Sequence, residues 1–176
     1  MSSSAVSINV FENSILTVNF HSETIVEHTV AEVWSHAVNI KSWMNAYQSE
    51  TVSGEPTHVG EVVKLTNLNA GDKTPEPHHH FYRVLNVIPM KQVAIKAFGA
   101  EGGSYGLKQN NSYDTISVYE RGDSTLVSFD MIAELIPGEI MSDSELLEMG
   151  RAMSEGVGKN SEVFWDNLKL LVEKDS

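Results

Sequence analysis

"VEHTVAEVWSHAVNIKSWMNAY", residues 26–47, is the stretch on which the fold turns. It starts in a strand pattern and ends in helical ones. Thr29 followed three residues later by Glu32 has the form of a capping box, in which the hydroxyl accepts from the N3 amide and the carboxylate reaches back to the cap amide. Val30, Val33, Trp34 and Val38 then recur at helical spacing, and "NIKSWMNAY" (39–47) supplies a second short helical turn carrying Trp43. Upstream, "SILTVNFHSETIVEH" (14–28) has Ile15, Val18, Phe20, Ile25 and Val26 as its apolar members and reads as one strand. Before it, residues 1–12 are expected as a flexible tail or, because "AVSINVF" (5–11) alternates, as an edge strand.

Downstream, "SGEPTHVGEVVKLTNL" (53–68) has Gly-Pro-Gly punctuation before a strand from about Glu61, and "NAGDKTPEP" (69–77) is a turn-rich loop. After "TPEPHHHFYRVLNVIPMKQVAIKAF" (74–98) come a loop at "FGAEGGSYGLKQNN" (98–111), a strand at "SYDTISVYE" (112–120), a hairpin turn at "RGD" and a long strand at "STLVSFDMIAEL" (124–135). Ser142 with Glu145 forms a second capping box, and Leu146, Met149, Met153, Val157, Phe164, Leu168 and Leu171 follow at the spacing of an amphipathic helix. Trp165 falls beside that stripe and is expected to pack at a sheet edge. Gly156 and Gly158 lie inside it, each costing about 1 kcal/mol relative to Ala, so a kink or break near "EGVGKN" is expected. The order is strand, two short helices, a run of antiparallel strands and one long C-terminal helix, which is an α+β domain with the helix laid across one sheet face.

Composition narrows the function. The 176 residues suit one domain, 1–176. Twelve Lys plus Arg against twenty-four Asp plus Glu leave a net charge of −12, which repels nucleic-acid phosphates and anionic membranes and favours a small-molecule partner. With no cysteine, disulfides, thiolate nucleophiles and thiolate metal sites are excluded. The start "MSSSAVSINVFENS" has no signal-peptide pattern and no later run is long enough to span a bilayer, so no membrane insertion is expected and a cytoplasmic location is. Oligomeric state is not legible.

The order and spacing of "VEHTVAEVWSHAVNIKSWMNAY", "HVGEVVKL" (58–65), "YRVLNVIPMKQVAIK" (82–96), "DSTLVSFDM" (123–131) and "NLKLLVE" (167–173) resemble the START-related superfamily, which includes polyketide cyclases and dehydrases. The resemblance implies a helix-grip fold: a curved antiparallel sheet wrapped around a long C-terminal helix, with two short helices after the first strand and an internal apolar cavity. It does not imply one activity.

Strand parity populates such a cavity, because alternate residues share a face. With Val84 inward, as the resemblance implies, Tyr82, His80 and His78 share its face while His79 and Phe81 point out. The opposite register stays open, since Phe81, Leu85 and Val87 are comparably apolar and a bulge before Pro89 would shift it. Val127, Phe129, Met131 and Ala133 form the apolar wall of the late strand, and Met153, Val157, Asn160 and Phe164 look down from the helix. Trp34 and Trp43 are core plugs or ligand stackers, and Tyr105 sits in a glycine-rich loop suited to a lid.

Several roles are open to the three histidines. Neighbours on a strand point apart, so only His78 and His80 could share a metal, with Glu27 or His28 as third ligand; no metal and no cofactor are expected. An imidazole titrating near pH ~6.5 could move a proton while Tyr82 polarises a carbonyl. A partly solvated strand end is the plainer reading. Arg83 is a surface ion-pair partner or, in the opposite register, an anchor for a ligand carboxylate. The candidate catalytic residues are therefore His80, His78 and Tyr82, and the candidate ligand-binding residues are Trp43, Val84, Tyr105, Phe129, Met131, Met153, Val157, Asn160 and Phe164. The leading expectation is a protein that binds a hydrophobic lipid, polyketide or terpenoid. A cofactor-independent cyclase, dehydratase or lyase comes second, and a chaperone-regulating interaction domain third.

Overall fold

The computed structural model describes residues 2–11, 15–44, 48–67, 78–101 and 107–175. The elements run β1 (Ser3–Phe11), β2 (Ile15–Val26), α1 (Val30–Ala37), α2 (Ile40–Trp43), β3 (Gln48–Ser53), β4 (Val62–Asn67), β5 (His78–Ile88), β6 (Gln92–Glu101), β7 (Leu107–Arg121), β8 (Ser124–Pro137) and α3 (Asp143–Asp175). The strands form one curved antiparallel sheet in the order β1-β2-β8-β7-β6-β5-β4-β3, and α3 crosses its concave face. No helix among the described residues is long and apolar enough to cross a membrane.

Local chemistry explains the element ends. Thr29 caps α1 with its side chain accepting from the Glu32 amide, while the Glu32 carboxylate accepts from the Thr29 amide at 2.8 Å. The same reciprocal pair at Ser142 and Glu145 starts α3. Both capping acids have their pKa lowered, Glu32 by the Thr29 hydroxyl and then the Thr29 amide, Glu145 by the Ser142 amide and then the Ser142 hydroxyl. Between β7 and β8 the two-residue turn Gly122–Asp123 places Gly122 at φ +65°, which glycine adopts without strain.

β2 shows how the sheet chooses its faces: Leu16, Val18, Phe20, Ser22, Thr24 and Val26 are all buried, and the residues between them are half-exposed. The helix backbone lies close to β1, β2, α1 and α2 and stands off β5, β6 and β7. Gly150 permits the closest approach, since a Cβ there would fall 2.8 Å from Ile8 Cγ2 of β1. A buried polar hub fixes α2 to the far side of the sheet. Glu61, 3% exposed, accepts from Lys41 Nζ at 3.2 Å, Thr51 Oγ1 at 2.7 Å and the Thr57 amide at 2.6 Å.

Four expectations are corrected. The strand β3 is absent from the sequence reading because "QSETVS" has no apolar alternation; it is an edge strand held by its ladder with β4. The loop expected over 98–111 is narrower, with β6 continuing to Glu101 and β7 beginning at Leu107, because backbone pairing tolerates that polar, glycine-rich composition. The helix α3 is unbroken through Gly156 and Gly158, its buried stripe continuing on both sides of them. That stripe holds at Leu146, Met149 and Leu168 and is displaced elsewhere: Ser154, Ser161, Trp165 and Val172 face the core, and Met153, Val157, Phe164 and Leu171 flank it. The loop expected at 69–77 lies outside the described residues.

The burial of α3 makes a direct prediction. Leu168 is fully buried whereas Leu170 is 53% exposed. Leu168→Ala should cost about 2–5 kcal/mol in urea unfolding, and Leu170→Ala within about 0.5 kcal/mol. Equal costs would contradict this helix orientation.

Candidate functional site

Ladder register lays out the concave face in rows. One runs Tyr82, Ala97, Ser112, Ala133, Val18 from β5 to β2; the next runs Val84, Ile95, Asp114, Met131, Phe20. A third carries Val93, Ile116, Phe129 and Ser22. These rows are apolar apart from a few side chains, and the outlier is Asp114. Only 8% exposed, it sits between Ile95 and Met131 and accepts a short hydrogen bond from the Ser112 hydroxyl. Burial pushes its carboxyl from 3.8 up to about 7, the Ser112 hydrogen bond opposing the shift. It therefore exchanges a proton near neutral pH. Its position was available in the sequence: in "SYDTISVYE", Asp114 shares strand parity with Ile116 and Val118.

Tyr82 is buried in the adjacent row, two strands from Ser112, or about 10 Å at the usual strand spacing. Its phenol is hydrogen-bonded by the backbone of Lys41. Burial first, and the Glu61 carboxylate second, raise its pKa above the ordinary value. The phenol thus stays protonated, a hydrogen-bonding group rather than a base.

Under α3 the space is occupied by aromatics. Trp43 stacks on Trp165 with ring centroids 5.8 Å apart, and Phe164 meets Trp43 edge-on at 6.2 Å. The Trp165 indole N–H donates to Ser22 Oγ at 2.7 Å, and Ser22 Oγ lies 3.4 Å from Ser161 Oγ. Asn167 Nδ2 donates to the Trp43 carbonyl at 3.1 Å. Trp165 is thus a central contact and not the sheet-edge residue the sequence suggested. Trp43, Met44, Phe129, Ser161, Phe164 and Trp165 enclose a cavity of ≈ 10 Å³, about the room for one water. Nearby on β2, Thr24 Oγ1 is buried with no hydrogen-bond partner among the described residues. A larger cavity of ≈ 830 Å³ is an open groove by the α1 start and the β5–β6 turn, away from Asp114.

The structure distributes the candidate residues over two packed groups. Trp43, Tyr82, Val84 and Phe164 belong with Trp165 and Leu168, while Met131, Met153 and Val157 pack with Leu16, Val18 and Phe20; Phe129 touches both. Asn160 is half-buried on α3. His80 alternates with Tyr82 on the concave side, half-buried and opposite Leu65 of β4. His79 faces the other way, 3.0 Å from Thr66 Oγ1. The backbone of His78 begins β5, but its side chain and all of Tyr105 lie outside what is described. Among the described residues no three His, Asp or Glu side chains converge as a metal site.

No family model matches the sequence, and no curated protein matches it. Solved structures do. A conserved protein from Geobacillus kaustophilus is 17% identical, with a TM-score of 0.65 over 89% of this chain and 95% of that one. The norcoclaurine synthase of Thalictrum flavum, solved with dopamine and hydroxybenzaldehyde, is 16% identical, with a TM-score of 0.62 over 93% and 90%. The Zhui aromatase/cyclase from Streptomyces sp. R1128 is 13% identical, with a TM-score of 0.62 over 90% and 94%. At such identities the likeness is one of fold, and with the strand order and long C-terminal helix it leads to one conclusion: the chain has the helix-grip fold.

Proposed function

We propose that the chain binds a hydrophobic small molecule, lipid-, polyketide- or terpenoid-like, between α3 and the concave face of the sheet. The observation that carries this reading is Asp114, a carboxyl on an apolar floor with a hydroxyl as its hydrogen-bonding neighbour. An acid there weakens the fold at neutral pH, and a polar handle for a ligand hydroxyl, phenol or carbonyl accounts for it. Because the enclosed space beside Phe129 is only ≈ 10 Å³, entry displaces the aromatic plug of Trp43 and Phe164. Trp43 sits on the four-residue helix α2, a short element to move. The neighbours solved as a synthase and an aromatase/cyclase support a small-molecule reading at the level of fold.

A second reading, a cofactor-independent cyclase, dehydratase or lyase, is favoured by the same carboxyl. A group half protonated near pH 7 can donate and accept protons, with the Tyr82 phenol and His80 on the same concave side. In this reading Asp114 joins His80 and His78 in moving protons, and the Tyr82 phenol polarises a carbonyl by hydrogen bonding to it.

Native mass spectrometry of freshly purified protein, followed by solvent extraction, should find an apolar molecule at one per chain. Its affinity should fall about tenfold in Asp114→Asn, the size expected for one hydrogen bond to a charged group. Its binding should also perturb the emission of the stacked Trp43 and Trp165. Undiminished affinity in both Asp114→Asn and Trp43→Ala would place the ligand elsewhere. For the enzymatic reading, His80→Ala or Asp114→Asn should lower turnover with little change in affinity; unchanged turnover in both would end it.

A pH dependence of stability follows as well. Between about pH 4 and 7 the folded state keeps a proton on Asp114 that the unfolded chain has lost, so this group's contribution falls as pH rises through that window and is level above it. Asp114→Asn removes the loss. Its stability relative to the parent should rise by up to about 4 kcal/mol from pH 4 to 8. Parallel stability curves would show that Asp114 titrates normally.

A further inference from the structure

The convex face of the sheet carries a second concentration of chemistry, unconnected with Asp114. Arg83 of β5 and Lys96 of β6 are directly opposite partners in the ladder. Like charges facing each other across an antiparallel pair oppose the pairing. Among the described residues neither forms a salt bridge, although Asp and Glu outnumber Lys and Arg two to one in the chain. Each lies instead over a ring: the Arg83 guanidinium carbon is 5.9 Å from the Phe98 centroid, and Lys96 Nζ is 5.3 Å from that of Tyr113. Phe81 stacks against Phe98 at 5.9 Å, which steadies the ring under the guanidinium. Arg83, Leu85, Lys96 and Phe98 line a surface cavity of ≈ 280 Å³.

A guanidinium resting on a ring is held in place by that contact while its N–H edge stays available to an oxyanion. The ammonium beside it adds a second positive charge, and Leu85 and Phe98 offer apolar contact. We infer that the convex face of β5 and β6 is a binding site for a small carboxylate borne on a flat apolar body, separate from the space under α3. Size and charge both favour a small molecule. The cavity of ≈ 280 Å³ has the scale of a small-molecule site, and an acidic macromolecule would meet repulsion from the rest of a surface with net charge −12.

The test uses 2-naphthoate as probe, titrated into the full chain and followed by amide NMR shifts. Saturable shifts at Arg83, Leu85, Lys96 and Phe98, weakening with added salt, are the expected result. The double variant Arg83→Gln/Lys96→Gln should bind at least about tenfold more weakly, as should neutral 2-naphthamide with the parent chain. Both substitutions are on the convex surface, and the spectrum itself reports that the variant is folded. Absence of saturable shifts, shifts confined to residues under α3 such as Met131 and Phe164, or unchanged affinity in the double variant would overturn the assignment. So would equal binding of the amide. Tighter binding of oligoglutamate than of naphthoate at the same amides would replace it with a protein partner.

Discussion

Trp165 holds three elements in one place. Its ring stacks on Trp43 of α2 and its indole N–H reaches Ser22 of β2, while its own backbone belongs to α3. Aromatic pairs contribute about 0.5–1.5 kcal/mol beyond burial, and a buried indole left without an acceptor would cost about as much again. The rest of the concave side is arranged around that contact. α3 can stand off β5 to β7 because Trp43, Phe164 and Trp165 fill the gap, and α2 is held against them by the Asn167 bond and the Glu61 hub.

That arrangement makes the floor of the sheet a low-dielectric surface, and the few polar groups on it acquire their properties from it. Asp114 has moved towards neutrality because water has been removed from around it, not because a second carboxylate crowds it. Tyr82 moves in the same direction for the same reason, with the Glu61 carboxylate adding to it. In hydrogen bonding the two buried acids differ, since the Glu61 carboxylate accepts from Lys41, Thr51 and a backbone amide. The contrast separates a structural acid, fully satisfied by its neighbours, from one with capacity left for a ligand.

Much of the architecture was legible because it rests on local chemistry. Both capping boxes and the parity of β8 follow from short patterns, the inward side of β5 rested on the resemblance at Val84 with the opposite register open, and the order of elements pointed to the helix-grip arrangement. What escaped depends on partners distant in sequence. β3 has no apolar alternation and exists through its ladder with β4. The face of α3 is legible at Leu146, Met149 and Leu168 and displaced by one position elsewhere, because Ser154 and Ser161, polar by composition, are buried where the pattern offers Met153 and Val157. Asp114 belongs to no motif that marks it, although parity with Ile116 and Val118 puts it on the apolar side of β7. The glycine-rich span near Tyr105 was read as loop throughout, whereas β6 and β7 take up both of its ends.

Carbon-13 NMR of labelled aspartate carboxyls tests most directly whether Asp114 is a near-neutral acid on the floor of the proposed ligand site. One carboxyl should titrate near pH 7, vanish in Asp114→Asn and shift its midpoint when the co-purified apolar molecule is bound. If every aspartate titrates below about pH 5, within the ordinary range for carboxyls in folded proteins, the buried-acid account of this site is wrong.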